Sequence, residues 1–141
     1  MILLDANLLI YAYDRTSAFQ RPAREWLDTQ IRNAPAIGLP WVSVLAFLRI
    51  LSNPQLKSSV APEAASAALD DWMKLPNVRV VHPGERHWDI LRRVLRDGQV
   101  RGRVVTDAHL AALAIEYGAT LCTNDVGFRR FEGVRLEFPL R

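Results

Sequence analysis

The stretch Met1-Ile2-Leu3-Leu4-Asp5-Ala6-Asn7-Leu8-Leu9-Ile10-Tyr11 decides the fold of this chain. Its start is uniformly apolar, which predicts a short buried strand that stops at Asp5. The apolar run then continues with helical spacing, so a helix should follow the strand directly. Ligands of parallel α/β sheets bind at the carboxyl ends of the strands. Asp5 is therefore a candidate site residue.

Strands and helices alternate along the rest of the chain. Apolar spacing and proline or glycine boundaries predict helices at 19–34, 40–51, 62–75, 88–95 and 107–117, and strands at 36–39, 78–81, 119–123 and 134–138. The helix after Pro40 is so apolar that we expect burial on most sides. Thr106 is the expected N-cap of the helix 107–117, and Gly118 its stop. This alternation predicts one domain, 1–141, built as a three-layer α/β/α sandwich with a mainly parallel central sheet.

The amino-acid composition argues against a membrane protein and against a secreted protein. Half of the 141 residues are apolar, yet no run approaches the roughly 18 apolar residues of a membrane helix. The N-terminus lacks the basic region and cleavage site of a signal peptide. The only cysteine, Cys122, lies in an apolar run and is expected to be buried. These features predict a protein of a reducing compartment, the cytoplasm, without a membrane partner.

Positive charge is concentrated in one segment. The net charge is +3, and six arginines fall between Arg86 and Arg103. Arginine forks match phosphate oxygens well, so the segment is a candidate for phosphate contact. The alternative is a solvated helix face on which the arginines pair with nearby acids such as Asp89 and Asp97.

Two further acids resemble Asp5 in their placement. Asp107 stands at the predicted start of a helix, and Asp125 follows a predicted strand. Mg²⁺ and Mn²⁺ prefer such oxygen ligands, whereas clustered carboxylates without a cation repel one another. We therefore predict that Asp5, Asp107 and Asp125 converge on a divalent cation. The alternative is that Asp107 only supports a helix start and Asp125 only forms an Asx-turn.

Three motifs contain the three acids: Leu3-Leu4-Asp5-Ala6-Asn7, Thr106-Asp107-Ala108-His109-Leu110-Ala111-Ala112-Leu113-Ala114 and Leu121-Cys122-Thr123-Asn124-Asp125-Val126-Gly127-Phe128. In this order they resemble the motifs of PIN-domain ribonucleases, in particular the VapC toxins of type II toxin–antitoxin systems. The resemblance spans nearly the whole chain. It implies an Mg²⁺- or Mn²⁺-dependent endoribonuclease with Asp5, Asp107 and Asp125 as catalytic and metal-binding residues. It also implies an RNA substrate, a cognate antitoxin that inhibits the enzyme, and a homodimer.

The chain departs from the family pattern at two positions. Ala46 stands where the second motif usually supplies a glutamate, and Gly127 where the fourth often has another acid. Alanine and glycine cannot bind a metal through their side chains, so the second metal and the turnover rate are in question. A catalytically weak module that binds RNA or an antitoxin is the alternative function.

Several neighbours of the acids have two interpretations each. Asn7 and Asn124 could position a water or phosphate, or could cap the backbone. His109 could contact substrate, although a packing or hydrogen-bonding role is the commoner one. Arg49, on the helix without its glutamate, is a candidate partner of a site carboxylate. The four tryptophans fall on apolar helix faces and are expected in the core or at an interface.

Overall fold

The computed structural model describes residues 1–141 and has five strands and six α-helices. The strands are β1 Ile2–Leu4, β2 Ile37–Pro40, β3 Val78–Val81, β4 Thr120–Cys122 and β5 Arg135–Glu137. The helices are α1 Ala6–Tyr13, α2 Gln20–Asn33, α3 Trp41–Leu51, α4 Pro62–Met73, α5 His87–Asp97 and α6 Val104–Tyr117. A short 3₁₀ helix, Val126–Arg130, follows β4.

All five strands are parallel, in the order β3-β2-β1-β4-β5. The first strand is therefore central, with β2 on one side and β4 on the other. In register, Leu4 of β1 lies opposite Cys122 of β4, so these two strands end at the same level. The residues that follow them, Asp5 and Thr123, consequently meet at one edge of the sheet.

Alternation along the strands distributes the core over two layers. Successive strand side chains point to opposite faces, so Leu3 joins one apolar cluster and Leu4 the other. The cluster around Leu3 contains residues of α5, α6 and the 3₁₀ helix, and the cluster around Leu4 contains residues of α1 to α4. The three-layer α/β/α sandwich with a parallel sheet is confirmed.

The start of α6 differs from the prediction. This helix begins at Val104 with Arg103 as its cap residue, and no side chain caps it. Thr106 lies inside the first turn and is not an N-cap. The turn before the helix supplies backbone acceptors instead: the amide of Val105 bonds the carbonyl of Gly102, and the amide of Thr106 that of Arg103. The predicted stop is correct, since Gly118 adopts the left-handed conformation with φ 59°.

Burial of α3 is less complete than its composition predicts. Its inner face packs into the core through Val44, Phe47 and Leu51. Trp41 and Leu45 are nevertheless 45% and 59% exposed. The apolar residues of α3 are thus partly buried in the core and partly exposed to solvent. The longest helices have 14 residues, and none has the apolar length that a bilayer crossing requires.

Candidate metal centre

Asp5 is held by a hydrogen-bond network that joins the ends of β1 and β4. Its Oδ2 accepts from Thr123 Oγ1 at 2.6 Å and from Asn7 Nδ2 at 2.9 Å. The same Nδ2 lies 3.1 Å from Thr123 Oγ1, and Asn7 Oδ1 accepts from the Asn124 amide at 3.1 Å. Asn7 therefore fixes the Asp5 carboxylate and ties the two strand ends together.

Thr123 is a residue that sequence reasoning missed. It is fully buried, and its hydroxyl also accepts from the amide of Asp125 at 3.0 Å. Its position just before the Asn124-Asp125 pair places it at the end of β4, but only the register of β4 against β1 brings its hydroxyl to Asp5. Thr123 orders both Asp5 and the turn that carries Asp125.

Asp125 forms the Asx-turn that the sequence analysis gave as its alternative role. Its Oδ1 accepts from the amide of Gly127 at 2.7 Å and caps the 3₁₀ helix. The residue nevertheless lines the same cleft as Asp5. The turn thus gives the carboxylate a fixed orientation without removing it from the cleft.

The three predicted acids line one cleft at the carboxyl edge of the sheet. The cleft has a volume of about 450 Å³ and lies between α1, α3 and α6. Asp5 and Asp125 reach it from the ends of β1 and β4, and Asp107 from the first turn of α6. Residues separated by more than a hundred positions are thereby brought together.

Burial and nearby negative charge raise the pKa of two of these carboxylates, Asp5 and Asp107. Burial raises the pKa of Asp5 most, and repulsion from Asp125 adds to it, against the hydrogen bonds from Thr123, Ala6 and Asn7. Burial likewise raises the pKa of Asp107, followed by repulsion from Asp5 and from Asp125. Arg130 and Arg103 act in the opposite direction on the pKa of Asp107 without cancelling the rise.

This donor set fits a hard divalent cation held partly through water. Carboxylate oxygens are the ligands that Mg²⁺ and Mn²⁺ prefer, and such ions usually keep several waters. No group of three or more His, Cys, Asp or Glu side chains is close enough to hold a metal directly through all its members. Asp5, Asp107 and Asp125 would therefore hold such an ion in part through its water ligands.

The wall formed by α3 shows what replaces the expected glutamate. Ala46 lines the cleft, with Ser43 one turn before it and Arg49 one turn after it. No carboxylate comes from this helix, and the buried Oγ of Ser43 has no hydrogen-bond partner. Gly127 lines an adjoining cavity, so both departures from the family pattern lie at the site.

The remaining candidates have mostly structural contacts. His109 Nδ1 lies 2.9 Å from Nε2 of His87, which joins α6 to α5. Asn124 is buried, its backbone carbonyl accepts from Arg141, and its side-chain Oδ1 has no hydrogen-bond partner. Arg49 lines the cleft but belongs to none of the ion pairs of the structure.

Some arginines of the segment 86–103 fit a solvated helix face, and one fits the alternative of phosphate contact. Arg92 pairs with Asp89, Arg96 pairs with Asp97, and Arg86 donates to the carbonyl of Glu116, as a solvated helix face predicts. Arg103 alone among the six lines the acidic cleft. Of the tryptophans, Trp26 and Trp72 pack against the core, whereas Trp41 and Trp88 are exposed.

Comparisons with known proteins agree with this fold. The chain is 41% identical to ribonuclease VapC37 of Mycobacterium tuberculosis over 140 residues, which cover 99% of this chain and 97% of that protein. The structure of VapBC2 from Rickettsia felis bound to a promoter DNA fragment superposes with a TM-score of 0.71 at 21% identity, covering 97% and 98% of the two chains. The Mycobacterium tuberculosis toxin VapC20, described as cleaving the sarcin-ricin loop, superposes with a TM-score of 0.70 at 18% identity, covering 96% and 99%. A sequence model of the PIN domain matches residues 2–134, and the chain belongs to the PIN domain family.

Proposed function

We propose that this protein is a metal-dependent endoribonuclease, the toxin of a type II toxin–antitoxin pair. The observation that carries the proposal is the convergence of Asp5, Asp107 and Asp125 on one cleft, with two of the three pKa values raised. A full-length relative named as a ribonuclease supports RNA as the substrate. Mg²⁺ or Mn²⁺ is the proposed ion because the donors are all carboxylate oxygens.

The residues of the cleft divide into ligands and positioning groups. Asp5, Asp107 and Asp125 are the proposed metal-binding and catalytic residues. A bound cation would polarise the scissile phosphate and lower the pKa of the attacking water. Thr123 and Asn7 hold the Asp5 carboxylate in a fixed orientation through their hydrogen bonds. Arg103 and Arg130 lie beside Asp107 and limit the negative charge that an approaching RNA strand meets.

Ala46 favours a single cation. A methyl group at this position leaves the α3 side of the cleft without an acidic ligand. The same observation supports the second candidate function, a PIN-like module that binds RNA or an antitoxin without efficient cleavage. The two functions differ in their metal affinity, because an active nuclease needs a cation bound by the three acids.

RNA cleavage by the purified protein separates these functions. Transfer RNAs and ribosomal RNA would be incubated with the protein in Mg²⁺, in Mn²⁺ and in EDTA. We expect defined fragments only with metal, and none from Asp5→Asn. The matched control is Asp71→Asn, which changes an exposed acid of α4 outside the cleft. Wild-type protein that binds Mn²⁺ weakly and leaves every RNA intact would establish the binding module instead.

Two protein partners are proposed with this function. Solved structures of similar fold include toxin–antitoxin complexes, which supports an antitoxin for this chain. A homodimer is supported by the exposed apolar side chains of Trp41 and Leu45, which lie one helical turn apart on α3. The Trp41 ring also lies 6.3 Å from the ring of His82, just after β3, so the aromatic surface extends beyond one helix.

A further inference from the structure

A second cavity adjoins the acidic cleft on the side of the 3₁₀ helix. It has a volume of about 310 Å³ and shares Arg103, Asp107 and Asp125 with the larger cleft. Arg130 and Gly127 complete its wall on the side of the 3₁₀ helix. The two cavities therefore lie side by side, with Asp107 and Asp125 at their boundary, and together they are called the trough.

The arginines of this trough form no salt bridge, although Arg103 and Arg130 lie near Asp107. The ion pairs of arginine in this structure belong to Arg21, Arg24, Arg92 and Arg96. Arg103 and Arg130 are exposed and line the second cavity together with Asp107, Arg103 at the start of α6 and Arg130 in the 3₁₀ helix. Unpaired guanidinium groups directed at one cavity provide donors for an anionic ligand, for which the arginine fork is well suited.

The local backbone adds to this preference. The cavity includes Val104, the first residue of the 14-residue helix α6, whose N-terminal dipole favours negative charge. Gly127 contributes no side chain and no charge at the opposite wall. Because an acid at position 127 would repel an anion, the departure from the family pattern makes this cavity more suited to one.

We propose that the cavity between Arg103 and Arg130 binds a phosphate of the RNA strand next to the scissile phosphate. The inference rests on the proposed function, since it assigns part of the substrate to a subsite beside the metal centre. A strand in the trough would place one phosphate at the carboxylates and its neighbour between the two guanidinium groups. The subsite reads no base, so it positions the strand without selecting its sequence.

The test measures binding of a single-stranded RNA whose 2′-hydroxyls are methylated, in EDTA, by fluorescence anisotropy over a range of salt concentrations. Each phosphate contact with a single strand contributes about 0.7 to the slope of log affinity against log salt. We expect Arg103→Gln and Arg130→Gln each to lower that slope by roughly 0.7 and the double variant by roughly 1.4. Arg130→Lys should keep most of the slope, because it retains the charge.

Arg92→Gln is the matched control, since it removes an arginine whose partner is Asp89 on the same helix. It should leave the slope unchanged. Cleavage is then measured in Mg²⁺ with unmethylated RNA of the same sequence. Arg103→Gln and Arg130→Gln should raise KM and leave kcat unchanged, as expected when a contact that binds substrate and transition state equally is lost.

Other ligands give other results. If inorganic phosphate saturates the cavity while both variants bind RNA like the wild type, the site is one for free phosphate and the proposal is overturned. If the variants weaken an acidic antitoxin and leave RNA affinity unchanged, the surface belongs to a protein partner and the proposal again fails. A wild-type protein that cleaves no RNA refutes the proposed function, whereas unchanged salt slopes in an active enzyme refute only this subsite.

Discussion

Replacing Asp107 by asparagine should change stability in opposite directions with and without metal. The pKa of Asp107 is raised by burial and by repulsion from Asp5 and Asp125. The asparagine amide keeps the shape of the side chain and removes its charge. In EDTA at neutral pH the variant should therefore melt at or above the temperature of the wild type. With Mn²⁺ it should lose the stabilisation that the wild type gains.

The size of the metal effect follows from linkage. A ligand present at 100 times its Kd stabilises the folded state by about 2.7 kcal/mol. For the 141 residues of this chain, an unfolding entropy of ~2.1 cal/mol/K per residue gives about 0.3 kcal/mol/K. The wild type should then gain about 9 °C in Tm. If the substitution weakens binding a hundredfold, the same Mn²⁺ concentration gives ~0.4 kcal/mol, or about 1 °C.

Differential scanning fluorimetry at constant ionic strength measures both effects. The Kd of the wild type is first set by calorimetry, and Asp71→Asn serves as the control that should keep the full shift. An Asp107→Asn protein that retains the whole Mn²⁺ shift would show that this carboxylate is no ligand. A variant that melts far below the wild type in EDTA would show that Asp107 mainly supports the start of α6.

Three further predictions concern other residues. Ala46→Glu should add a fourth carboxylate to the cleft and tighten Mn²⁺ binding in calorimetry, and an unchanged affinity would mean that the side chain does not reach the ion. Asp5 has a raised pKa, so its favourable contribution is present below about pH 3.8 and lost as the pH rises through its folded pKa. In urea titrations with EDTA, the stability of Asp5→Asn relative to wild type should thus grow from pH 3 to pH 7, and a flat difference would contradict the shift. Leu45→Glu should convert a dimer to a monomer in light scattering, whereas a wild type that is already monomeric at micromolar concentration excludes this interface.

The position of Asp5 could be predicted because it depends on a local pattern, an apolar strand that stops at an acid in a parallel sheet. The same applies to the fold, whose strands and helices have clear periods. The start of α6 could not be predicted from the sequence. Backbone carbonyls of the preceding turn cap this helix, and any residue type can supply a backbone carbonyl. The 3₁₀ helix was missed since five residues are too few to show a period.

Contacts between distant segments also could not be predicted from the sequence. The hydrogen bond between Thr123 and Asp5 requires the register of β4 against β1, and the contact of His87 with His109 requires the packing of α5 on α6. The exposure of Leu45 is a related case. The sequence shows that a side chain is apolar. It does not show whether that side chain is buried in the core or contacts another molecule.

The central place of β1 in the sheet has a consequence for the synthesis of the protein. Asp5 follows β1 and is made long before Asp125, which follows β4, the strand that pairs with β1. The three carboxylates therefore cannot come together on a nascent chain until β4 and the turn after it have been made. Translation that stops before β4 yields a fragment without the assembled site, so the proposed nuclease can become active only after that strand has been made.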